Sequence, residues 1–207
     1  MPGCSSSSFL SFLSRAITVD RQEPTGQDRR PTDRWTELLL AAGTGDRHAL
    51  AEFVVATEAT VRGLCHQLGD PDSCEDLAQE VYCRALGSLG RFRQEGSGRS
   101  WLLAIARNTC ADATRRRIRH RAVISGAEPP DVGVSPEVWV EEADLLSVLK
   151  PDRREAFVLT QLLGLSYAES ADLLGCPIGT VRSRVSRARS DLLSTLDVKA
   201  FSSHPGR

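Results

Sequence analysis

A chain of 207 residues is long enough for one large or two small domains, and its formal net charge of -1 gives no bulk support for a nucleic-acid partner. Apolar residues make up 41% of it but aromatics only 5%, which with abundant Leu, Ala and Arg favours helices over a sheet sandwich. The six cysteines (Cys4, Cys65, Cys74, Cys83, Cys110, Cys176) form no CxxC pair, so neither a zinc ribbon nor a disulfide framework is indicated. Cys65-His66 with Cys74 and Cys83 matches no zinc spacing. The expectation is a reduced, cytoplasmic protein without metal or cofactor.

In chain order, Phe9 to Ile17 is too short to span a bilayer and follows no basic residue, so neither membrane insertion nor a secretory signal is expected. With Ser5 to Ser8 before it and Asp20 to Asp33 after it, residues 1–34 read as a disordered tail. From Trp35 apolar residues recur at helical spacing through Leu38, Leu39 and Ala42. They resume through Leu50, Phe53, Val54, Val61, Leu64 and Leu68, predicting two helices joined at Gly43 to Asp46. Asp70-Pro71-Asp72 breaks the pattern, and Ser73 with Asp76 has the capping-box form that starts a helix toward Leu86. Gly87 to Ser100 reads as a flexible loop, and Ser100 to about Arg119 as a long helix.

Gly126, Pro129, Pro130 and Gly133 give residues 122–136 the composition of a linker. The chain therefore divides into a domain at 35–121 and a second at 137–197, followed by a tail at 198–207. The second domain is predicted to hold helices around Val138 to Leu149 and Asp152 to Leu163, then two separated by Gly175-Cys176-Pro177. The fold class is all-α: two small helical domains joined by a flexible linker.

Ser166 with Glu169 forms a second capping box, Gly175 ends that helix, and Pro177 restarts the chain as another. Two short helices about a glycine turn make a helix-turn-helix, whose second helix can enter the major groove. In that second helix Ile178, Val181, Val185, Ala188 and Leu192 fall on one apolar stripe. Thr180, Ser183 and Arg187 then point away from the stripe, with Arg182, Arg184 and Arg189 beside it. No acid occurs between Ile178 and Arg189. Arginine there suits phosphates or guanine, and Thr or Ser suits bases or backbone. A solvated arginine face on a packing helix is the ordinary alternative.

Four segments together resemble the extracytoplasmic function (ECF) sigma factors, the small two-domain branch of the bacterial sigma superfamily. They are Asp76-Leu77-Ala78-Gln79-Glu80-Val81-Tyr82 with Arg84-Ala85-Leu86, and Phe92 through Arg99-Ser100-Trp101 to Arg107-Asn108. The others are Arg153-Arg154-Glu155-Ala156-Phe157, and Leu165-Ser166-Tyr167-Ala168-Glu169 through Gly179-Thr180-Val181-Arg182-Ser183-Arg184 to Arg189. The likeness spans roughly Asp46 to Leu196, and Thr160 to Arg189 is nearest the actinobacterial sigma C-like branch.

The resemblance implies a protein that directs RNA polymerase core to specific promoters and assists their melting. It places core-polymerase binding, on the clamp helices of the largest subunit, at Asp76, Leu77, Gln79 and Glu80. Minus-ten DNA falls to the loop of Arg93 and Arg99 and to Asn108, Asp112, Arg115 and Arg116. Minus-thirty-five DNA falls to Thr180, Arg182, Ser183, Arg184 and Arg187. An anti-sigma factor is an expected partner alongside polymerase and promoter DNA. Trp101 reads as core rather than as a base-stacking residue.

Two rivals stand beside this reading. A helix-turn-helix transcriptional regulator would use the second domain and make no contact with core polymerase. A metal-carboxylate hydrolase would use Asp70, Asp72, Glu75, Asp76 and Glu80, but His48, His66, His120 and His204 show none of the helical ligand spacings such a site needs.

Overall fold

The computed structural model of the chain describes residues 34–92, 96–125 and 145–202, and these fall into two compact units, one before and one after residue 135. Helices and turns account for all their regular structure, with no strand among the described residues.

The first unit packs four α-helices about one core. α1 (Arg34–Gly43) is short and buries Leu39 and Ala42. α2 (Arg47–Leu68) starts where the Asp46 carboxylate accepts the His48 and Ala49 N–H groups at 2.8 and 3.1 Å. Its core stripe, Ala49, Phe53, Thr57, Val61 and Leu64, follows the three- and four-residue spacing of one helical face.

α3 (Cys74–Ser88) is entered through the 3-10 turn Pro71–Ser73, and this corrects the expected capping box. Ser73 sits at φ -103°, ψ 11° and makes no cap hydrogen bond. A capping side chain needs the extended backbone that Ser73 lacks once Pro71 has begun the turn. α3 buries Leu77, Ala78, Val81 and Ala85, and the Tyr82 hydroxyl meets Thr57 Oγ1 of α2 at 2.9 Å.

α4 (Gly98–Ser125) is longer than Ser100 to Arg119, so the expected linker's first residues, 122–125, are helical. Its first turn touches α1 closely: the Gly98 N–H donates to Thr36 Oγ1 at 2.6 Å. A Cβ on Gly98 would lie 2.7 Å from the Thr36 backbone nitrogen. Leu102, Leu103, Ala106 and Cys110 then carry the helix through the core.

In the second unit a 3-10 turn (Leu145–Val148) precedes α5 (Pro151–Phe157), which runs on into a π turn (Val158–Leu162). α6 (Tyr167–Leu174) and α7 (Ile178–Ser202) follow. α5, α6 and the 3-10 turn all pack on α7, and Ala156, Ala171, Val181 and Val185 form the centre of the core. α7 continues to Ser202, past the tail expected from residue 198. Residues 1–33, the expected linker from Gly126 to Pro136, and the Val138 end of the expected helix lie outside the described residues.

Candidate nucleic-acid interface

The helix-turn-helix is built by local hydrogen bonding. Ser166 Oγ accepts the Glu169 N–H at 3.1 Å, while Glu169 Oε2 accepts the Ser166 N–H at 2.8 Å, closing the capping box. α6 ends at Gly175, left-handed at φ 62°. There the Cys176 and Gly175 N–H groups return to the Ala171 and Asp172 carbonyls at 3.1 and 3.4 Å, as in a Schellman turn. Pro177 then opens α7, its carbonyl accepting the Thr180 N–H at 2.8 Å.

Val181, Val185, Ala188 and Leu192 are buried along α7. Ile178, placed on the same stripe by spacing, is instead 42% exposed, because packing against α6 begins at Val181. The expected arginine face divides in two. Arg187 is exposed, and among the described residues no side chain pairs with it; Arg182 is exposed with its guanidinium over the Tyr167 ring at 5.8 Å.

Arg184 and Arg189 turn inward. Arg184 is half-buried, its Nε 3.3 Å from Asp152 of α5 and its Nη1 3.8 Å from Cys176 Sγ. Arg189 donates to Gln161 Oε1 at 3.0 Å. Thr180 and Ser183 are half-buried, and the Ser183 hydroxyl donates to the Thr180 carbonyl at 2.9 Å. Below them, Arg153 pairs with Asp191 at 2.6 Å and fastens α5 to α7.

In the first unit, α3 exposes Asp76 and Gln79. Leu77 is only 4% exposed, which removes it from the expected contact surface: it anchors the ridge from beneath. Glu80 is engaged within the unit, accepting from Arg84 at 2.5 Å and from Arg116 at 3.0 Å. The other guanidinium nitrogen of Arg84 reaches Asp112 at 2.8 Å, and Asp112 also accepts from Arg115 at 2.5 Å.

Five charged side chains of α3 and α4 thus form one ladder. Burial works to raise the Glu80 carboxyl, but the hydrogen bonds from Arg116 and Arg84 outweigh it and hold the group below its ordinary range. Hydrogen bonds from Arg84, then Arg115, do the same for Asp112. The Asp112 bond, with help from Glu80, raises Arg84 further.

Along α4, Asn108, Arg115 and Arg116 are exposed with half-buried Asp112 beside them, so these four expected residues share one neighbourhood. Arg117, next in sequence, turns aside to Asp70. Arg99 is half-buried with its guanidinium over the Trp35 ring at 5.7 Å, away from the open arginine position expected of it. Arg93 lies outside the described residues. Trp101 is half-buried against Phe92, with ring centroids 5.2 Å apart. The pairing residues Arg84, Asp152, Gln161 and Asp191 were absent from the expected site. Only Arg84 left a sequence signal, four residues after Glu80.

Among the described residues no cluster of three or more His, Cys, Asp or Glu is placed to hold a metal ion, and no helix is long and apolar enough to cross a membrane. Exposed arginines on a helix-turn-helix, and another helical unit whose long helix presents arginines beside a polar ridge, have the form of a DNA-binding protein.

Comparison with known proteins makes this specific. Residues 54–120 match the family described as Sigma-70 region 2, and residues 141–192 the family described as Sigma-70, region 4. The ECF RNA polymerase sigma factor SigC of Mycobacterium tuberculosis is 43% identical over 165 residues, covering 77% of this chain and 89% of that protein. Two solved structures are similar. CnrH in complex with the cytosolic domain of CnrY matches with a TM-score of 0.62 at 26% identity, covering 81% of this chain and 99% of CnrH. The sigma factor RpoE in complex with the anti-sigma factor NepR from Bartonella quintana matches at 0.60 and 30% identity, covering 72% and 97%. The chain belongs to the ECF RNA polymerase sigma factors, and its function is to direct RNA polymerase to promoters.

Proposed function

We propose a division of labour between the two units. The domain at 35–121 binds core polymerase through Asp76, Gln79 and Glu80, against the clamp helices of the largest subunit. It stabilises melted minus-ten DNA through Asn108, Arg115 and Arg116, together with Arg93 and Arg99. The domain at 137–197, beyond a linker that starts after α4, reads the minus-thirty-five duplex with α7, where Arg182 and Arg187 reach the DNA and Thr180 and Ser183 lie at its edge. The protein acts by binding alone, in the cytoplasm with RNA polymerase, and performs no catalytic step. The neighbour RpoE is held by an anti-sigma factor, and we extend that class of partner to this chain.

The observation that carries this reading is α7 itself: a capped helix-turn-helix whose outward side offers Arg182 and Arg187 with no acid between Ile178 and Arg189. A positive, acid-free helix face is the electrostatic footprint of a DNA reader. On α3, Asp76 is the charge to test, because reversing Glu80 would also tear its bonds to Arg84 and Arg116. Asp76→Lys sets like charges against a basic partner and should weaken assembly with core polymerase by tenfold or more. Co-purification with core and run-off transcription on a promoter library measure it, with circular dichroism reporting the fold. A folded Asp76→Lys protein that assembles and transcribes normally refutes the docking face on α3.

A further inference from the structure

Glu80 stands at the edge of two proposed contact faces. It projects from α3, the docking helix, yet accepts from Arg116 of α4, a DNA-facing residue, at 3.0 Å. Its other partner, Arg84, is a fork with one nitrogen on Glu80 at 2.5 Å and the other on Asp112 at 2.8 Å. The Arg116 end of this ladder is the most open to exchange, and Glu80 beside it remains partly exposed. The Arg116 side chain is 53% exposed, while Glu80 at 32% and Arg84 at 36% are more enclosed.

An exposed ion pair is weak enough to be replaced by a better counter-ion, such as a phosphate for Arg116 or a basic side chain for Glu80. If Arg116 swings to a phosphate, Glu80 keeps Arg84 and is not stranded. If a basic group of polymerase takes Glu80, Arg84 keeps Asp112 and Arg116 is released.

We propose that Glu80 is a counter-ion shared between the two faces, with Arg84 as the positioning residue that holds it, so that docking on polymerase frees Arg116 for DNA. By linkage the effect runs both ways: DNA on Arg116 frees Glu80 for polymerase, and each partner tightens the other by the same factor. Free protein holds Arg116 back from nucleic acid, and holoenzyme does not. Phosphate binding is sequence-independent, so a mixed-sequence single-stranded oligonucleotide reads the effect without knowledge of the promoter.

The test uses the full chain, a fluorescein-labelled mixed-sequence oligonucleotide at low salt, and anisotropy. Glu80→Gln should bind the oligonucleotide about two- to fivefold more tightly than the parent, the scale of one exposed pair. Arg116→Gln should bind it more weakly, and adding Glu80→Gln to Arg116→Gln should change nothing further. Against core polymerase the signs reverse: Glu80→Gln should assemble less well, and Arg116→Gln about twofold better. The Arg116→Gln arm with core is independent of whether Glu80→Gln folds.

Two results overturn the coupling. One is a Glu80→Gln gain that persists without Arg116, which would be a general charge effect. The other is a folded Glu80→Gln protein whose oligonucleotide affinity is unchanged or weaker. The inference rests on the docking reading, and the failures separate. Core assembly indifferent to Glu80→Gln removes the docking face and the coupling with it, whereas impaired core assembly with no oligonucleotide gain removes the coupling alone.

Discussion

Arg184 and Arg187 lie three residues apart on one helix, carry the same charge, and should fail in different ways when replaced by alanine. Among the described residues no side chain pairs with exposed Arg187. Arg187→Ala should therefore leave stability unchanged and weaken binding to a minus-thirty-five duplex. The loss should be about 1–3 kcal/mol if the guanidinium meets a guanine edge. If it meets a phosphate, the loss should be spread over all sequences, with the salt slope smaller by about 0.9.

Arg184 is bound to Asp152 at 3.3 Å, and its side chain is 27% exposed. Arg184→Ala removes that pair and the stem packed near Cys176, at a cost of about 1 kcal/mol. For a domain this small that lowers the melting temperature by roughly 4–8 °C, with a smaller effect on DNA. The assay is anisotropy on a promoter duplex found by run-off transcription, titrated with salt, beside thermal melts of both variants. Arg187→Ala binding with unchanged affinity and unchanged salt slope would show that this side of α7 does not meet DNA. A stable Arg184→Ala that loses as much affinity as Arg187→Ala would show that the Asp152 pair opens on the duplex.

Gly98→Ala should destabilise the first unit although alanine is the better helix former by about 1 kcal/mol. Its Cβ would meet the Thr36 nitrogen at 2.7 Å and Thr36 Cα at 2.9 Å, backbone atoms that yield only if α1 shifts, for a net loss of about 1–3 kcal/mol by thermal melting. The carboxyls of Glu80 and Asp112 sit below their ordinary values in the folded chain. Their contribution is complete above the unfolded values of about 4.3 and 3.9 and is lost as pH falls through the folded ones. Melts should show the ladder's contribution constant between about pH 8 and 5, then an acid decline that Asp112→Asn makes shallower.

The elements legible in the sequence are those fixed by neighbours in the chain. Ser166 and Glu169 close their capping box because both partners belong to one turn, and Gly175 stops α6 because its left-handed backbone is local too. Ser73 and Asp76 present the same letters and fail, since Pro71 commits the preceding residues to a 3-10 turn. The end of α4 was misplaced for a related reason. Helical continuation past Arg119 to Ser125 has no stop signal before Gly126, and an arginine-rich run carries little apolar periodicity to mark it.

The candidate site was legible as a set of faces and illegible as a set of partners. Periodicity turns Arg187 outward and Val181 inward, but it cannot distinguish exposed Arg182 from half-buried Arg184, both placed beside the stripe, because Arg184 meets Asp152, thirty-two positions away on another helix. The same holds in the first unit, where Arg116 finds Glu80 and Arg117 finds Asp70, so two adjacent arginines serve different tasks. Charge runs therefore overstate the number of side chains free to meet a nucleic acid. Of the arginines of the recognition helix, Arg184 is drawn onto α5 and Arg189 onto the π turn. On the reading proposed above, Arg187 is the arginine of this helix that tertiary structure leaves without a side-chain partner among the described residues, which is why its loss should be measurable on DNA without a cost in stability.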